Sequence, residues 1–124
     1  MTNWILPNLG TISIMESDTE PGAIIVDVRD LADSSRDVKA VMKKIQVITG
    51  LLAVGMKVAV RCVGGINRSN TIALAVMCYT EPHLTLEDSW DVHYNVLKNR
   101  VPHMHLQPDL VATCKKALLE LKRW

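Results

Sequence analysis

Near the middle of the chain a cysteine is followed by two glycines and, after five intervening residues, by an arginine and a serine: Cys62-Val63-Gly64-Gly65-Ile66-Asn67-Arg68-Ser69. Each residue type has a task in anion chemistry. Gly64 and Gly65 let the backbone curl so that successive N–H groups point inward as an anion nest. Arg68 can fork two N–H groups onto an oxyanion, a geometry that lysine cannot reproduce. A helix beginning at this point adds the positive end of its dipole. The same donors favour a thiolate over a thiol at Cys62, so one loop holds a dianion and activates a nucleophile. The Ser69 hydroxyl is placed to hydrogen-bond the sulfur and ease its departure in a second step.

Such a loop needs a strand in front and a helix behind, and the flanking sequence supplies both. Lys57-Val58-Ala59-Val60-Arg61-Cys62 reads as a buried parallel strand, apolar on both faces at its centre. Ser69 to Tyr79 reads as a largely buried helix. Upstream, Ala23 to Val28 is a short β-branched run and a second strand. Val38, Val41, Met42, Ile45, Ile48 and Leu52 follow helical spacing, with Ser34 or Ser35 available to cap the start. Thr85-Leu86-Glu87-Asp88 opens a third helix that runs to about Asn99, and Pro108 to Leu121 forms a fourth. Strands alternating with helices predict a single α/β domain over residues 1–124, with a mainly parallel central sheet flanked by helices.

The pattern C-x5-R-S between a buried strand and a buried helix resembles the cysteine-based protein phosphatases, specifically their compact dual-specificity branch. Downstream, Thr85 to Trp90, Val96 to Pro102 and Gln107-Pro108-Asp109-Leu110 are similar to the later helices of that family. Asn3 to Gly10 is similar to its opening strand. The resemblance implies a tyrosine phosphatase-like fold and hydrolysis of phosphomonoesters through a phosphocysteine, with no cofactor and no metal. It assigns Cys62 as nucleophile, Arg68 as phosphate clamp and Ser69 as the group aiding the thiolate. Val63, Gly64, Gly65, Ile66, Asn67 and Arg68 become the substrate cradle. The chain departs from the family in three ways: Arg61 replaces the usual histidine before the cysteine, Asn70 replaces a small residue, and the stretch before the catalytic strand is shortened.

Departure of an alcohol or phenol needs a proton donor. The family places an aspartate about thirty residues before the cysteine, on a loop after a strand, and here Asp30 and Asp33 both satisfy that spacing. Asp30, at the strand's end, is the first choice, and Asp33 is the alternative. Asp27, inside the strand, reads as a hydrogen-bonded structural residue.

The bulk properties narrow the surroundings. A chain of 124 residues with formal net charge +1 has no electrostatic footprint for bulk binding to nucleic acid or membrane. Three cysteines without disulfide or zinc spacing fit a reducing compartment, and a cytoplasmic location is expected. Neither a signal peptide nor an apolar run of about 18 residues is evident. The expected partner is a phosphorylated protein, and the expected state is a monomer. An RNA 5′-phosphatase of the same superfamily remains an alternative, because Gly65 to Arg68 resembles that branch too. A rhodanese-like sulfurtransferase is suggested by Ile25-Val26-Asp27-Val28-Arg29, although that class generally has four residues between cysteine and arginine. A third alternative is an inactive module that captures phosphopeptides. Of the remaining features, His103 and His105 read as loop residues, His93 as surface or packing, and Lys43-Lys44 and Lys115-Lys116 as solvated faces. Cys78 reads as a buried thiol, with a disulfide to Cys62 left open.

Overall fold

The computed structural model describes residues 2–13, 20–32, 35–63, 67–121 and 124. Four strands and four helices follow in the order β1 (Asn3–Leu6), β2 (Leu9–Ser13), β3 (Ile24–Asp27), α1 (Val38–Ala53), β4 (Val58–Cys62), α2 (Arg68–Thr80), α3 (Leu86–Arg100) and α4 (Pro108–Glu120). The sheet runs β1-β2-β4-β3. β1 and β2 form an antiparallel hairpin, while β2 and β3 both pair in parallel with β4. The strand that ends at Cys62 therefore lies inside the sheet, which explains its apolar composition.

β2 was not anticipated: the sequence suggested one opening strand, and the structure contains a two-residue turn at Pro7-Asn8 followed by a second strand. All five residues of β2 are buried, including Gly10. A Cβ at Gly10 would stand 2.7 Å from Thr2 Cγ2, 2.9 Å from Trp4 Cε3 and 3.0 Å from the Asn3 carbonyl oxygen. Gly10→Ala should accordingly lower stability by about 1–3 kcal/mol, the usual range for overpacking. Urea midpoints of the two proteins measure this; a loss within experimental error would show that β1 yields freely.

The helices obey their local signals, with one shift. Thr85 caps α3 by accepting from Asp88 N at 3.0 Å, and Gln107 caps α4 by accepting from Leu110 N at 3.0 Å, with Pro108 in the first turn. α3 also carries Glu87 and Asp88 in its first turn and Lys98 and Arg100 in its last, matching the helix dipole. α1 starts later than Ser34 or Ser35 implied: Asp37 is the cap, accepting from Ala40 N at 3.1 Å. A carboxylate there satisfies the N–H of the turn that actually forms, which begins at Val38.

Everything converges on α2. Its residues Ser69 to Cys78 are all buried, because the helix packs against the sheet, α1, α3 and α4 together. Leu9, Val26, Val58, Val60 and Cys62 supply the sheet side of this core, and Ile45, Ile48, Leu97, Leu110 and Leu118 supply the helix side. A helix enclosed on all sides needs apolar residues all round rather than one stripe, as its sequence has.

Candidate active site

The end of β4 and the start of α2 bring Cys62, Arg68 and Ser69 together. Cys62 is buried, and its Sγ–H donates to Ser69 Oγ at 3.1 Å. Ser69 occupies the first turn of α2, so the sulfur lies at the positive end of that helix. The N-cap residue Asn67 makes no side-chain cap, unlike those of the other three helices. Its Oδ1 instead accepts from Gln107 N at 2.9 Å and lies 3.1 Å from Thr71 Oγ1. Asn67 thus ties the loop to the segment before α4 rather than closing the helix end. On the other side of the loop, Ser13 Oγ donates to the Val63 carbonyl at 2.6 Å. Gly64, Gly65 and Ile66 of the expected cradle lie outside the described residues, as does Asp33.

Arg68 is anchored from below. Its Nη1 donates to the carbonyls of Arg29 at 3.1 Å and Leu31 at 3.0 Å. Those two carbonyls flank Asp30, so the arginine grips the chain on either side of the expected acid. The Asp30 side chain is two-thirds exposed, and its Oδ1 pairs with Lys44 Nζ at 3.1 Å. Lys44 is therefore not a solvated lysine of α1: it also donates to the Asp27 carbonyl at 2.9 Å. The lone-face reading failed because Lys44 faces the end of β3, which no helical periodicity can reveal.

The residue before Cys62 has a definite partner. Arg61 Nη2 lies 2.9 Å from Asp27 Oδ2, across the neighbouring parallel strands. Asp27 also accepts from Arg29 through Nε at 3.0 and 2.8 Å, through Nη2 at 2.6 Å, and through the backbone N–H at 2.9 Å. One carboxylate thereby holds two guanidiniums: Arg61, adjacent to Cys62, and Arg29, whose carbonyl accepts from Arg68. Arg61 is ion-paired to Asp27, but Asp27 also carries Arg29, so the three groups together keep a net positive charge. Asp27 was anticipated only as a hydrogen-bonded strand residue; its partners come from a neighbouring strand and a following loop.

The Arg29 side chain holds the Asp27 carboxyl well below the usual carboxylate range, with further lowering from the Arg29 backbone N–H and from Arg61 against the opposing effect of burial. A lowered native value stabilises the fold above the ordinary carboxylate pKa of about 3.9, and that contribution is lost as pH falls below it. Asp27→Asn should therefore unfold at lower urea than wild type at pH 7, with the gap narrowing progressively below pH of about 4. A gap that stays constant from neutral to acid pH would remove the charge from the explanation.

Other expectations fall on structural ground. Cys78 is nine residues beyond Ser69 along α2, roughly 13 Å at the helical rise, so a bond to Cys62 is out of reach. Burial pushes the Cys78 thiol up to about 12 and raises Cys114 further, as expected of packing thiols. His93 is buried, with Nε2 2.9 Å from the Glu81 carbonyl oxygen. Among the described residues no group of three or more His, Cys, Asp or Glu side chains gathers as a metal site. No helix among them is long and apolar enough to cross a membrane.

No protein-family model matches the sequence, and no curated protein matches it significantly. Solved structures do match in three dimensions. Tk-PTP in its active form aligns with TM-score 0.70 at 14% identity, covering 99% of this chain and 97% of that one. A leucine rich repeat and phosphatase domain containing protein from Entamoeba histolytica aligns with TM-score 0.74 at 12% identity, covering 98% and 93%. The human tyrosine phosphatase-like serine/threonine/tyrosine-interacting protein aligns with TM-score 0.72 at 15% identity, covering 95% of each chain. With a parallel strand, a cysteine at its end, an arginine and serine opening the helix behind it, and near-complete superposition on these neighbours, the chain has the fold of the tyrosine and dual-specificity phosphatases.

Proposed function

We propose that the chain is a phosphomonoesterase that acts on phosphorylated protein through a phosphocysteine. The observation that carries this reading is the Cys62 Sγ to Ser69 Oγ contact of 3.1 Å at the junction of β4 and α2, with Arg68 at the helix start. In the first step the Cys62 thiolate attacks phosphorus in line with the ester oxygen. The P–S bond forms, the P–O bond breaks, and Asp30 transfers its proton to the departing oxygen. Arg68 and the N-terminus of α2 balance the charge on the equatorial oxygens. In the second step water attacks phosphorus, the Asp30 carboxylate takes its proton, and the P–S bond breaks to give inorganic phosphate. The sulfur leaves as a thiolate, stabilised by the Ser69 hydroxyl.

Asp30 fits the acid role because its backbone is gripped against Arg68, and its exposed side chain pairs with Lys44 at the surface, a contact it can leave. Lys44 then serves as a resting partner for the carboxylate. A phosphoprotein substrate agrees with the near-neutral chain, whose +1 charge offers little to an RNA backbone. Against a sulfurtransferase stand the five-residue loop spacing and the two long helices after α2.

The decisive experiment is hydrolysis of p-nitrophenyl phosphate by the wild-type chain, followed by rapid acid quench and peptide mass analysis. A peptide containing Cys62, heavier by one phosphoryl group, is the expected result. Absence of turnover with phosphate still bound would instead indicate a phosphopeptide-capturing module. For the acid, Asp30→Ala and Asp33→Ala are compared on an alkyl phosphate, a poor leaving group. Loss confined to Asp30→Ala, on the order of 10²-fold or more, is expected for a general acid; loss confined to Asp33→Ala would move the role there.

A further inference from the structure

A groove of ≈ 480 Å³ lies between α3 and α4, outside the catalytic loop. Trp90 and Tyr94 line it from α3, and Leu106 and Val111 add apolar surface. Its polar lining is all basic: Lys98, His105 and Lys115, with no carboxylate among the described residues that line it. Lys98 Nζ is held at the groove by the Met104 carbonyl at 2.9 Å, and Lys115 Nζ stands 5.2 Å from the Trp90 ring centroid. The exposed Glu87 pairs with Lys115 at 3.0 Å from beyond the lining, a weak surface pair that a better-placed acid can replace. Lys115 is therefore not a solvated face of α4, as its position in a Lys-Lys pair suggested.

The groove adjoins the catalytic loop. Leu106 precedes Gln107, whose N–H donates to Asn67 Oδ1 inside the Cys62–Arg68 loop. A chain whose phosphate occupies that loop can lay its neighbouring residues along this surface. Two aromatic side chains suit an apolar anchor, and two lysines and an imidazole suit carboxylates on either side of it.

We propose that the α3/α4 groove docks an acidic stretch of polypeptide carrying one apolar anchor, the segment flanking the phosphorylated residue of the substrate. The proposal rests on the phosphatase reading only for the link to substrate; docking itself does not. Protein is favoured over nucleic acid because most residues lining the groove are apolar and the net charge of the chain is only +1.

The test uses a capped, unphosphorylated peptide with one leucine between glutamate pairs, titrated calorimetrically into the full chain. Binding that weakens at least tenfold in Lys98→Glu/Lys115→Glu, and again with added salt, is expected. His105→Glu, on an exposed loop residue, is the second variant, since Lys98→Glu also gives up the bond to Met104. No binding by wild type, or equal binding by both variants, overturns the proposal, and so does tighter binding of an oligothymidylate of equal length. In parallel, KM for a phosphotyrosine version of the peptide should rise at least tenfold in the double variant, with kcat/KM for p-nitrophenyl phosphate unchanged. A chain that binds the peptide yet hydrolyses neither substrate keeps the groove and loses the phosphatase reading. One that hydrolyses both with unaltered KM keeps the reading and loses the groove.

Discussion

Cys62→Ser should abolish turnover of p-nitrophenyl phosphate, with an expected loss on the order of 10⁴-fold or more, the scale on which removing a catalytic nucleophile acts. A serine hydroxyl is a far weaker acid than a thiol, so it does not supply an anionic nucleophile. The substitution is nearly isosteric, and Ser69 Oγ, 3.1 Å from the sulfur, offers the new hydroxyl a hydrogen-bond partner. Folding should therefore survive, as circular dichroism will check. Binding of inorganic phosphate should survive too, because Arg68 and the start of α2 are untouched. The variant thus separates anion binding from chemistry. Retention of more than a tenth of wild-type activity would place the nucleophile elsewhere and end the phosphocysteine mechanism.

Arg68→Lys should lower kcat/KM for the same substrate by about 10²–10³-fold, the cost of removing a preorganised oxyanion donor. Charge is conserved, so any loss comes from geometry. A guanidinium presents five donors in a rigid plane; an ammonium is a point charge on a flexible stem. In this protein the plane also has a structural duty, since Nη1 holds the carbonyls of Arg29 and Leu31 at 3.1 and 3.0 Å. Lysine cannot grip both carbonyls and an oxyanion together, so the loop bearing Asp30 loosens as the phosphate clamp is lost. The two contributions are separable: inhibition by inorganic phosphate reports the clamp, and a larger loss with alkyl than with aryl phosphates reports the acid. A variant within threefold of wild type on both measures would show that charge alone suffices and that Arg68 does not fork onto phosphate.

Asp27 links the two sides of this arrangement. Its carboxylate engages Arg61, the residue before Cys62, and Arg29, the residue before Asp30. In the family pattern a histidine precedes the cysteine; here an arginine does, and a strand aspartate pairs with it.

The strand and helix on either side of Cys62 were legible because each rests on local chemistry. Apolar residues filled Val58 to Val60 and Ile72 to Cys78. The starts of α3 and α4 were legible for the same reason: Thr85 and Pro108 act within one turn of themselves. β2 was not, because Leu9-Gly10-Thr11-Ile12-Ser13 is short and contains a glycine. It becomes a strand by pairing in parallel with β4, about fifty residues away. The cap of α1 was misplaced because Ser34, Ser35 and Asp37 all qualify chemically, and only packing of the helix selects among them.

The sequence by itself carried the expectation of anion chemistry at Cys62, since a thiol, two glycines and a guanidinium at that spacing are properties of a few adjacent residues. Tertiary structure alone decided which charges meet. Arg61 and Asp27 are brought together by strand pairing, Lys44 reaches Asp27 and Asp30 from α1, and Lys115 covers Trp90 between α4 and α3. Charge partners are selected by distance in the folded chain, and neither composition nor periodicity carries that distance. For the loop at Cys62, the fold therefore added the carboxylate that pairs Arg61 with Arg29 and the carbonyls that hold Arg68 beside the expected acid.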